Sequence, residues 1–251
     1  MLQLQHITKT FNANKATEVI AVQDLTLRLE PQSFTVLVGA NGSGKSTLLN
    51  LIAGSVYADK GHILLHGDQI QRLPDYRRSR WIGRVFQNPL LGTAASLSVL
   101  DNFRMAALRR STKWLKLGTG VVFRKHVAEK VARLGMGLED KLAQPMGTLS
   151  GGQRQALTLL MTVMTDVDVL LLDEPSAALD PRSAREVMEI ANRLIAEDHL
   201  TALLVTHNIN EALRYGNRLI QMENGKIVRD YDASAKRVLD HGAVISWFDY
   251  F

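Results

Sequence analysis

The chain has 251 residues, of which 46% are hydrophobic, and this is sufficient for one large α/β domain with a buried core. Its net charge of +5 permits an anionic partner without selecting one, and the absence of cysteine excludes disulfides, thiolate catalysis and cysteine-based zinc sites. No apolar run is long enough to cross a bilayer, and the amino terminus lacks the pattern of a signal peptide. We therefore expect a protein that stays in the cytoplasm and does not itself span a membrane.

The amino-terminal part of the sequence has the pattern of strands. Leucines alternate with polar residues over residues 2–4 and 25–29, and residues 61–70 place a Gly-Asp turn after an apolar run. These patterns predict a short antiparallel β subdomain.

Three later segments, residues 34–39, 167–175 and 201–207, are nearly continuous apolar runs. Such runs are typical of parallel strands that are buried on both faces. Each is followed by a helical pattern, and repeated strand-helix order predicts a doubly wound α/β core.

Strand patterns disappear between residues 88 and 164, where helical patterns begin with a serine cap at Ser98. We predict one domain over residues 1–251, with a helical subdomain at 88–164 inserted into an α/β core formed by 1–87 and 165–251. From Arg104 to Arg133, nine basic residues accompany one acidic residue, Glu129. This excess is typical of a solvated helical face; contact with anionic lipid headgroups is the alternative.

Residues 39–47, GANGSGKST, fit the pattern G-x-x-x-x-G-K-[ST] directly between an apolar strand and a helix. Glycines allow the backbone N–H groups to converge on a phosphate at the helix N-terminus. Lys45 can reach the β- and γ-phosphates, and the Ser46 hydroxyl can ligate Mg²⁺. The predicted nucleotide-binding residues of this phosphate-binding loop are Gly39, Ala40, Asn41, Gly42, Ser43, Gly44, Lys45, Ser46 and Thr47.

Two adjacent carboxylates follow the second apolar run. Asp173 ends the strand and Glu174 comes next, and neighbouring residues at a strand end point in different directions. We expect Asp173 to face the metal and Glu174 to act as the general base on the attacking water.

A second glycine-rich segment, LSGGQ at residues 149–153, has no evident use beside a phosphate loop that is already present. The order of phosphate loop, LSGGQ, a strand ending in DEP, SAALD at 176–180 and a strand ending at His207 resembles the ATP-binding cassette ATPases over essentially the whole chain. The resemblance implies a P-loop NTPase core of the RecA-like type, ATP hydrolysis and a requirement for Mg²⁺.

The resemblance also implies a head-to-tail homodimer. In such a dimer, Ser150, Gly151, Gly152 and Gln153 of one subunit complete the ATP site of the other, where the serine hydroxyl and the glycine N–H groups contact the γ-phosphate. Asp180 then belongs to a loop that communicates between the two subunits.

Further roles within one subunit follow from the same resemblance. Gln87 would sense the γ-phosphate and Mg²⁺, His207 would contact the γ-phosphate and orient the water, and Phe11 would stack on adenine. The predicted catalytic residues are Lys45, Gln87, Glu174 and His207, and the predicted metal ligands are Ser46, Gln87 and Asp173.

Because the sequence contains no membrane span, the resemblance implies that a separate integral permease receives the work, with residues 88–103 as its docking segment. Four stretches, residues 86–103, 149–161, 203–213 and 215–228, resemble a bacterial import branch that uses a substrate-binding lipoprotein and a permease akin to the branched-chain amino acid permeases. The chain is then expected at the cytoplasmic face of the membrane, without a nucleic-acid partner, and an amino acid or related small solute is the expected cargo. RQALTLLMT at residues 154–162 differs from the helix usual in sugar and metal importers.

Other functions remain as alternatives. An iron-sulfur assembly ATPase has a similar length, whereas the DNA-repair and ribosomal types need insertions or a duplicated cassette that this sequence lacks. A P-loop kinase would leave LSGGQ and His207 without a use.

Overall fold

Two β-sheets and a group of helices make up the computed structural model, which describes residues 1–109, 119–245 and 247. The ten strands of the described residues are β1 (Leu2–Phe11), β2 (Val19–Leu29), β3 (Phe34–Val38), β4 (Lys60–Leu65), β5 (Asp68–Gln69), β6 (Ile82–Val85), β7 (Val169–Asp173), β8 (Thr201–Val205), β9 (Arg218–Glu223) and β10 (Lys226–Tyr231). The α-helices of the same residues are α1 (Lys45–Ala53), α2 (Asp75–Arg78), α3 (Val99–Ala107), α4 (Val121–Ala132), α5 (Gly151–Val163), α6 (Pro181–Glu197), α7 (Ile209–Arg214), α8 (Ala233–Arg237) and α9 (His241–Ile245). Short 3₁₀ helices span Pro89–Gly92, Glu139–Lys141 and Met146–Thr148.

The smaller sheet is antiparallel, with strand order β2-β1-β4-β5. The larger has the order β10-β9-β3-β8-β7-β6, in which only β10 runs antiparallel to its neighbour. The parallel α/β core and the antiparallel β subdomain are thus confirmed. The sequence reading missed β6 and the β9–β10 hairpin, although the Asn224-Gly225 turn of that hairpin, with φ of 48° and 76°, is a common hairpin signal.

The apolar runs are continuous because the larger sheet is covered on both faces. In β7, Leu170 and Leu172 pack into a cluster with α3, α4, α5 and α6, whereas Val169 and Leu171 pack into a second cluster with α1 and the antiparallel sheet. Successive residues of one strand therefore belong to different cores, which leaves no solvent-facing position.

Between residues 88 and 164 the described elements are helical, and α5 packs on α6. The bounds 88 and 164 of this subdomain stay a prediction. Three arginines of the basic segment have structural contacts in the described residues. Arg104 lies 5.5 Å from the ring centroid of Phe123, Arg109 donates to the carbonyls of Met161 and Thr162, and Arg133 pairs with Glu197 and Asp198. Burial lowers the pKa of Arg109. Arg110, Lys113 and Lys116 lie outside the described residues.

The parallel strands β3, β7 and β8 end at the same edge of the larger sheet. Leu37 of β3 and Asp173 of β7 both pair with Val205 of β8. Loops that follow these strands are thereby brought together, as is usual for ligand sites in open α/β sheets. None of the described helices is long and apolar enough to span a bilayer.

Candidate nucleotide-binding site

The loop between β3 and α1 lies against the backbone of two neighbouring strands. A Cβ on Gly39 would lie 2.1 Å from the carbonyl oxygen of Met222 in β9, and a Cβ on Gly44 would lie 2.2 Å from that of Ala21 in β2. The outer side of the loop is open, since a Cβ on Gly42 would meet nothing within 4 Å. Glycine thus allows close packing on one side of the loop and leaves backbone N–H groups accessible on the other.

Lys45 reaches back into this loop, where its Nζ donates to the carbonyls of Gly39 and Ala40 at 2.7 and 2.9 Å. Burial lowers the pKa of Lys45, and the negative charges of Glu174 and Asp173 oppose that shift. The cation is therefore already inside the loop, at the start of α1.

The polar groups of the loop suit a phosphate chain and its metal ion. Ser43 Oγ is buried and makes no hydrogen bond within the described part of the chain, while Ser46 is exposed beside Lys45. Asn41 is also exposed, and Ala40 and Thr47 are half-buried. The open glycine loop, the buried ammonium of Lys45 and the hydroxyl of Ser46 at the start of a helix together fit a nucleoside triphosphate with a metal ion bound to that hydroxyl.

The carboxylates of Asp173 and Glu174 diverge at the end of β7. Asp173 Oδ2 accepts a hydrogen bond from Arg84 Nη2 of β6 at 2.6 Å. Glu174 has φ of 47°, its N–H donates to the carbonyl of Val205, and its Oε2 lies 3.0 Å from His207 Nδ1. A left-handed backbone is unfavourable for a non-glycine residue, and this one turns the second carboxylate toward β8.

A buried glutamate joins the turn after β7 to the end of β8. Glu211 of α7 accepts hydrogen bonds from Ser176 Oγ at its Oε1 and from Thr206 Oγ1 at its Oε2, both at 2.6 Å. Ser176 is two residues from Glu174, and Thr206 precedes His207. The Glu211 carboxylate therefore joins the backbone segment that carries Glu174 to the one that carries His207. The sequence reading missed Glu211, because Ser176 lies 35 residues away along the chain and no local pattern marks the contact with Thr206.

Gln87 and Phe11 are placed differently. Gln87 is exposed, two residues beyond the end of β6, and the carbonyl of the preceding Phe86 accepts a hydrogen bond from buried Gln155 of α5 at 2.9 Å. Phe11 is 38% exposed at the end of β1, where Lys9 Nζ lies 5.4 Å from its ring centroid. Phe11 pairs with Val19 in β2, the strand whose Ala21 contacts Gly44, so it lies on the side of the phosphate-binding loop.

The LSGGQ segment forms the start of α5. Ser150 is the N-cap of a reciprocal capping box. Its Oγ accepts a hydrogen bond from the N–H of Gln153, and Gln153 Oε1 accepts one from the N–H of Ser150. Gly151 and Gly152 occupy the first turn, where backbone N–H groups have no acceptor within the helix. The structure thus gives Ser150 and Gln153 a local role and leaves Ser150 exposed.

The starts of α5 and α6 lie side by side. A Cβ on Gly152 would lie 2.8 Å from the Cβ of Ser183 in the first turn of α6. The exposed carboxylate of Asp180 caps α6 by accepting from the N–H groups of Arg182 and Ser183, and hydrogen bonds from Ser183 lower its pKa. In the described part of the chain, no hydrogen bond or ion pair joins residues 149–153 to residues 39–47. The two glycine-rich segments are therefore not joined by direct polar contacts.

Comparisons with known proteins agree on one family. The family model described as ABC transporter matches residues 22–177. The tyrosine transport ATP-binding protein of Clostridioides difficile (strain R20291) is 36% identical over 254 residues, which cover 100% of this chain and 99% of that protein. The phosphonates import ATP-binding protein PhnC of Stutzerimonas stutzeri is 36% identical over 93% of this chain and 85% of its own. A solved dimeric ATP-binding cassette in a post-hydrolysis state, bound to ADP and Pi, superposes with a TM-score of 0.79 at 26% identity and covers 93% of this chain and 99% of that one.

Proposed function

This chain belongs to the ABC transporter family as an ATP-binding, ATP-hydrolysing subunit, and we propose that it energises an importer of an amino acid or a related small solute. One structural observation carries the ATP-hydrolysing part of this proposal. The phosphate-binding loop, the Asp173–Glu174 pair and His207 follow three parallel strands that end at the same sheet edge. Lys45 for the phosphates, Asp173 for a metal ion and Glu174 for the attacking water therefore lie at one edge of the sheet.

The residues divide the chemistry between them. The loop N–H groups and Lys45 hold the phosphates, while Ser46, Asp173 and Gln87 would hold Mg²⁺, which neutralises phosphate charge when bound. Glu174 takes a proton from the attacking water. Glu174 can accept a hydrogen bond from His207 Nδ1, and Nε2 would donate to the γ-phosphate when both ring nitrogens carry protons.

Hydrolysis requires a second copy of the chain. The start of α5 exposes Ser150 and Gly151, whereas Gly152 is buried beside α6. In a head-to-tail dimer the Ser150 hydroxyl and the backbone N–H groups at this helix start would contact the γ-phosphate that the partner's loop holds, and the exposed Asp180 would lie at the same interface. The dimeric state of the similar solved cassette supports this arrangement.

The surface beside Gln87 suits a membrane subunit. The 3₁₀ helix Pro89–Gly92 exposes Leu90 and Leu91, and Leu97 and Met105 add exposed apolar area. Apolar side chains clustered at a protein surface commonly mark a protein partner. A short helix of the permease would dock here, at the cytoplasmic face of the membrane, and closure of the dimer would move it.

The direction and cargo rest on the relatives. The names of similar proteins describe tyrosine transport, phosphonate import and glycine betaine uptake. The tyrosine protein covers the whole chain, and this supports an amino acid as cargo. We propose a permease of the branched-chain amino acid type and an extracytoplasmic substrate-binding lipoprotein as the other components.

Affinity purification from native membranes tests this function. The tagged chain should retain a polytopic permease, and a Leu90→Asp, Leu91→Asp variant should lose it while it still binds ATP. A Val228→Asp variant, which changes an exposed valine of β10, is the matched control and should retain the permease. Recovery of iron-sulfur assembly factors without a permease would contradict the proposal.

A further inference from the structure

Arg84 holds the carboxylate that we assign to the metal. Its Nη2 donates to Asp173 Oδ2 at 2.6 Å, and its Nη1 donates to Asn50 Oδ1 of α1 at 2.6 Å. The guanidinium carbon lies 4.7 Å from the ring centroid of Phe86. Contacts on three sides therefore fix this cation at the end of β7.

The pair is shielded from solvent, since the side chains of Arg84 and Asp173 are 13% and 16% exposed. Charges in such a position interact more strongly than charges at an open surface. Arg84 thus neutralises Asp173 and occupies one of its two oxygens. Glu174, which faces His207, is left as the other carboxylate at this sheet edge.

We propose that Arg84 is a positioning residue that prevents Asp173 from retaining a divalent cation when no nucleotide is bound. The inference rests on the proposed function, in which Asp173 contacts Mg²⁺. A cation that approaches Asp173 alone meets a fixed positive charge and one free oxygen. When a cation arrives bound to phosphates, the negative charge of the phosphates offsets the positive charge of Arg84. Metal and nucleotide therefore bind together.

One side of the Arg84 side chain borders open space. Arg84 lines a cavity of about 240 Å³, together with residues of α3 and α5 such as Asn102, Met105 and Thr158. A methionine at position 84 keeps an unbranched side chain and removes the charge, the two donors and the cation contact with Phe86. Arg84→Gln is a second neutral variant that keeps a donor for Asn50.

Binding of Mn²⁺, measured by electron paramagnetic resonance on the full-length chain, tests the inference. Without nucleotide, Arg84→Met and Arg84→Gln should bind one Mn²⁺ about tenfold more tightly than the wild type. A second change, Asp173→Asn, should abolish that gain. Arg77→Met, which removes an exposed arginine of α2, is the matched control for net charge and should behave like the wild type.

The outcomes separate this inference from the proposed function. If neutral variants at position 84 that keep the wild-type circular dichroism spectrum bind Mn²⁺ no better than the wild type, Arg84 does not have this role. The same conclusion holds if the tighter Mn²⁺ binding of these variants persists after Asp173→Asn. A wild-type chain that fails to bind Mn²⁺ together with a non-hydrolysable ATP analogue would instead contradict the proposed function itself.

Discussion

His207 Nδ1 lies 3.0 Å from Glu174 Oε2, so the side chain after β8 and the side chain after β7 form one hydrogen-bonded pair. The His207 side chain is 59% exposed and that of Glu174 is 19% exposed. The imidazole is thus the outer member of the pair and the carboxylate the inner one. In the proposed mechanism, His207 orients Glu174 through Nδ1 and uses its other ring nitrogen for the phosphate.

Replacement of His207 by alanine should lower kcat for ATP hydrolysis about a hundredfold, because Glu174 loses the partner that orients it. The affinity for ATP should change little, since Lys45 and the loop remain. Steady-state phosphate release and ATP titration measure the two effects. His126→Ala, an exposed histidine of α4, is the control. An unchanged kcat in His207→Ala would remove this residue from the mechanism.

Glu211 should affect turnover through the same pair. In Glu211→Ala the hydroxyls of Ser176 and Thr206 lose a buried acceptor, at a cost of about 1–3 kcal/mol per group. We expect kcat to fall with little change in KM for ATP, and Glu211→Gln, which keeps an acceptor oxygen, to recover most of the loss. Glu186→Ala, on the exposed face of α6, controls for a lost carboxylate. Equal losses in the alanine and glutamine variants would contradict a positioning role.

The glycines of the phosphate-binding loop should differ in what they contribute. Gly42→Ala should cost about 1–2 kcal/mol of folding stability, because its φ of 79° is unfavourable for alanine. The cost should not be larger, since nothing lies within 4 Å of the new Cβ. Gly44→Ala should cost more, since the new Cβ would lie 2.2 Å from the carbonyl oxygen of Ala21. Thermal unfolding measures both differences.

The affinity for ATP distinguishes Gly42 from a glycine outside the site. Gly42→Ala should weaken ATP binding, because its Cβ enters the space where we place the phosphates. Gly67→Ala is the matched control, with φ of 96°, open surroundings and a place in the β4–β5 turn. It should lose similar stability and bind ATP normally. Gly42→Ala with wild-type ATP affinity would show that phosphates do not lie against the open side of the loop.

Much of this site could be predicted from the sequence, since each feature has a local pattern. The phosphate-binding loop follows a buried strand, and the apolar run before Asp173 marks the end of another. Arg84 and Glu211 could not be predicted in the same way. Arg84 contacts Asp173 across 89 residues, and Glu211 joins segments 35 and 5 residues away, so their roles depend on which strands become neighbours.

Local patterns also had uses that the motif order did not predict. Ser150 and Gln153 form a capping box, which the S-x-x-Q spacing could have indicated. Gln155 reaches the carbonyl before Gln87 from α5, a contact between two segments far apart in the chain. The LSGGQ segment therefore has a structural role in its own subunit in addition to the proposed role in its partner.

Mixed dimers test whether the ATP sites are shared between subunits. With Lys45→Ala in one subunit and Ser150→Arg in the other, one of the two shared sites keeps both a normal phosphate-binding loop and a normal LSGGQ segment. About half of the activity should remain. With both changes in one subunit, each site loses one part, and activity should be lost. The reverse order of activities would mean that each subunit hydrolyses ATP with its own residues.

The central claim is that Glu174 is the general base of an ATP site that two subunits close together. Glu174→Gln keeps the size of the side chain and removes the carboxylate that accepts the proton. Light scattering after size exclusion, combined with nucleotide and phosphate analysis, should find this variant as a stable dimer that retains ATP and releases no phosphate. Phosphate release at the wild-type rate would contradict the claim.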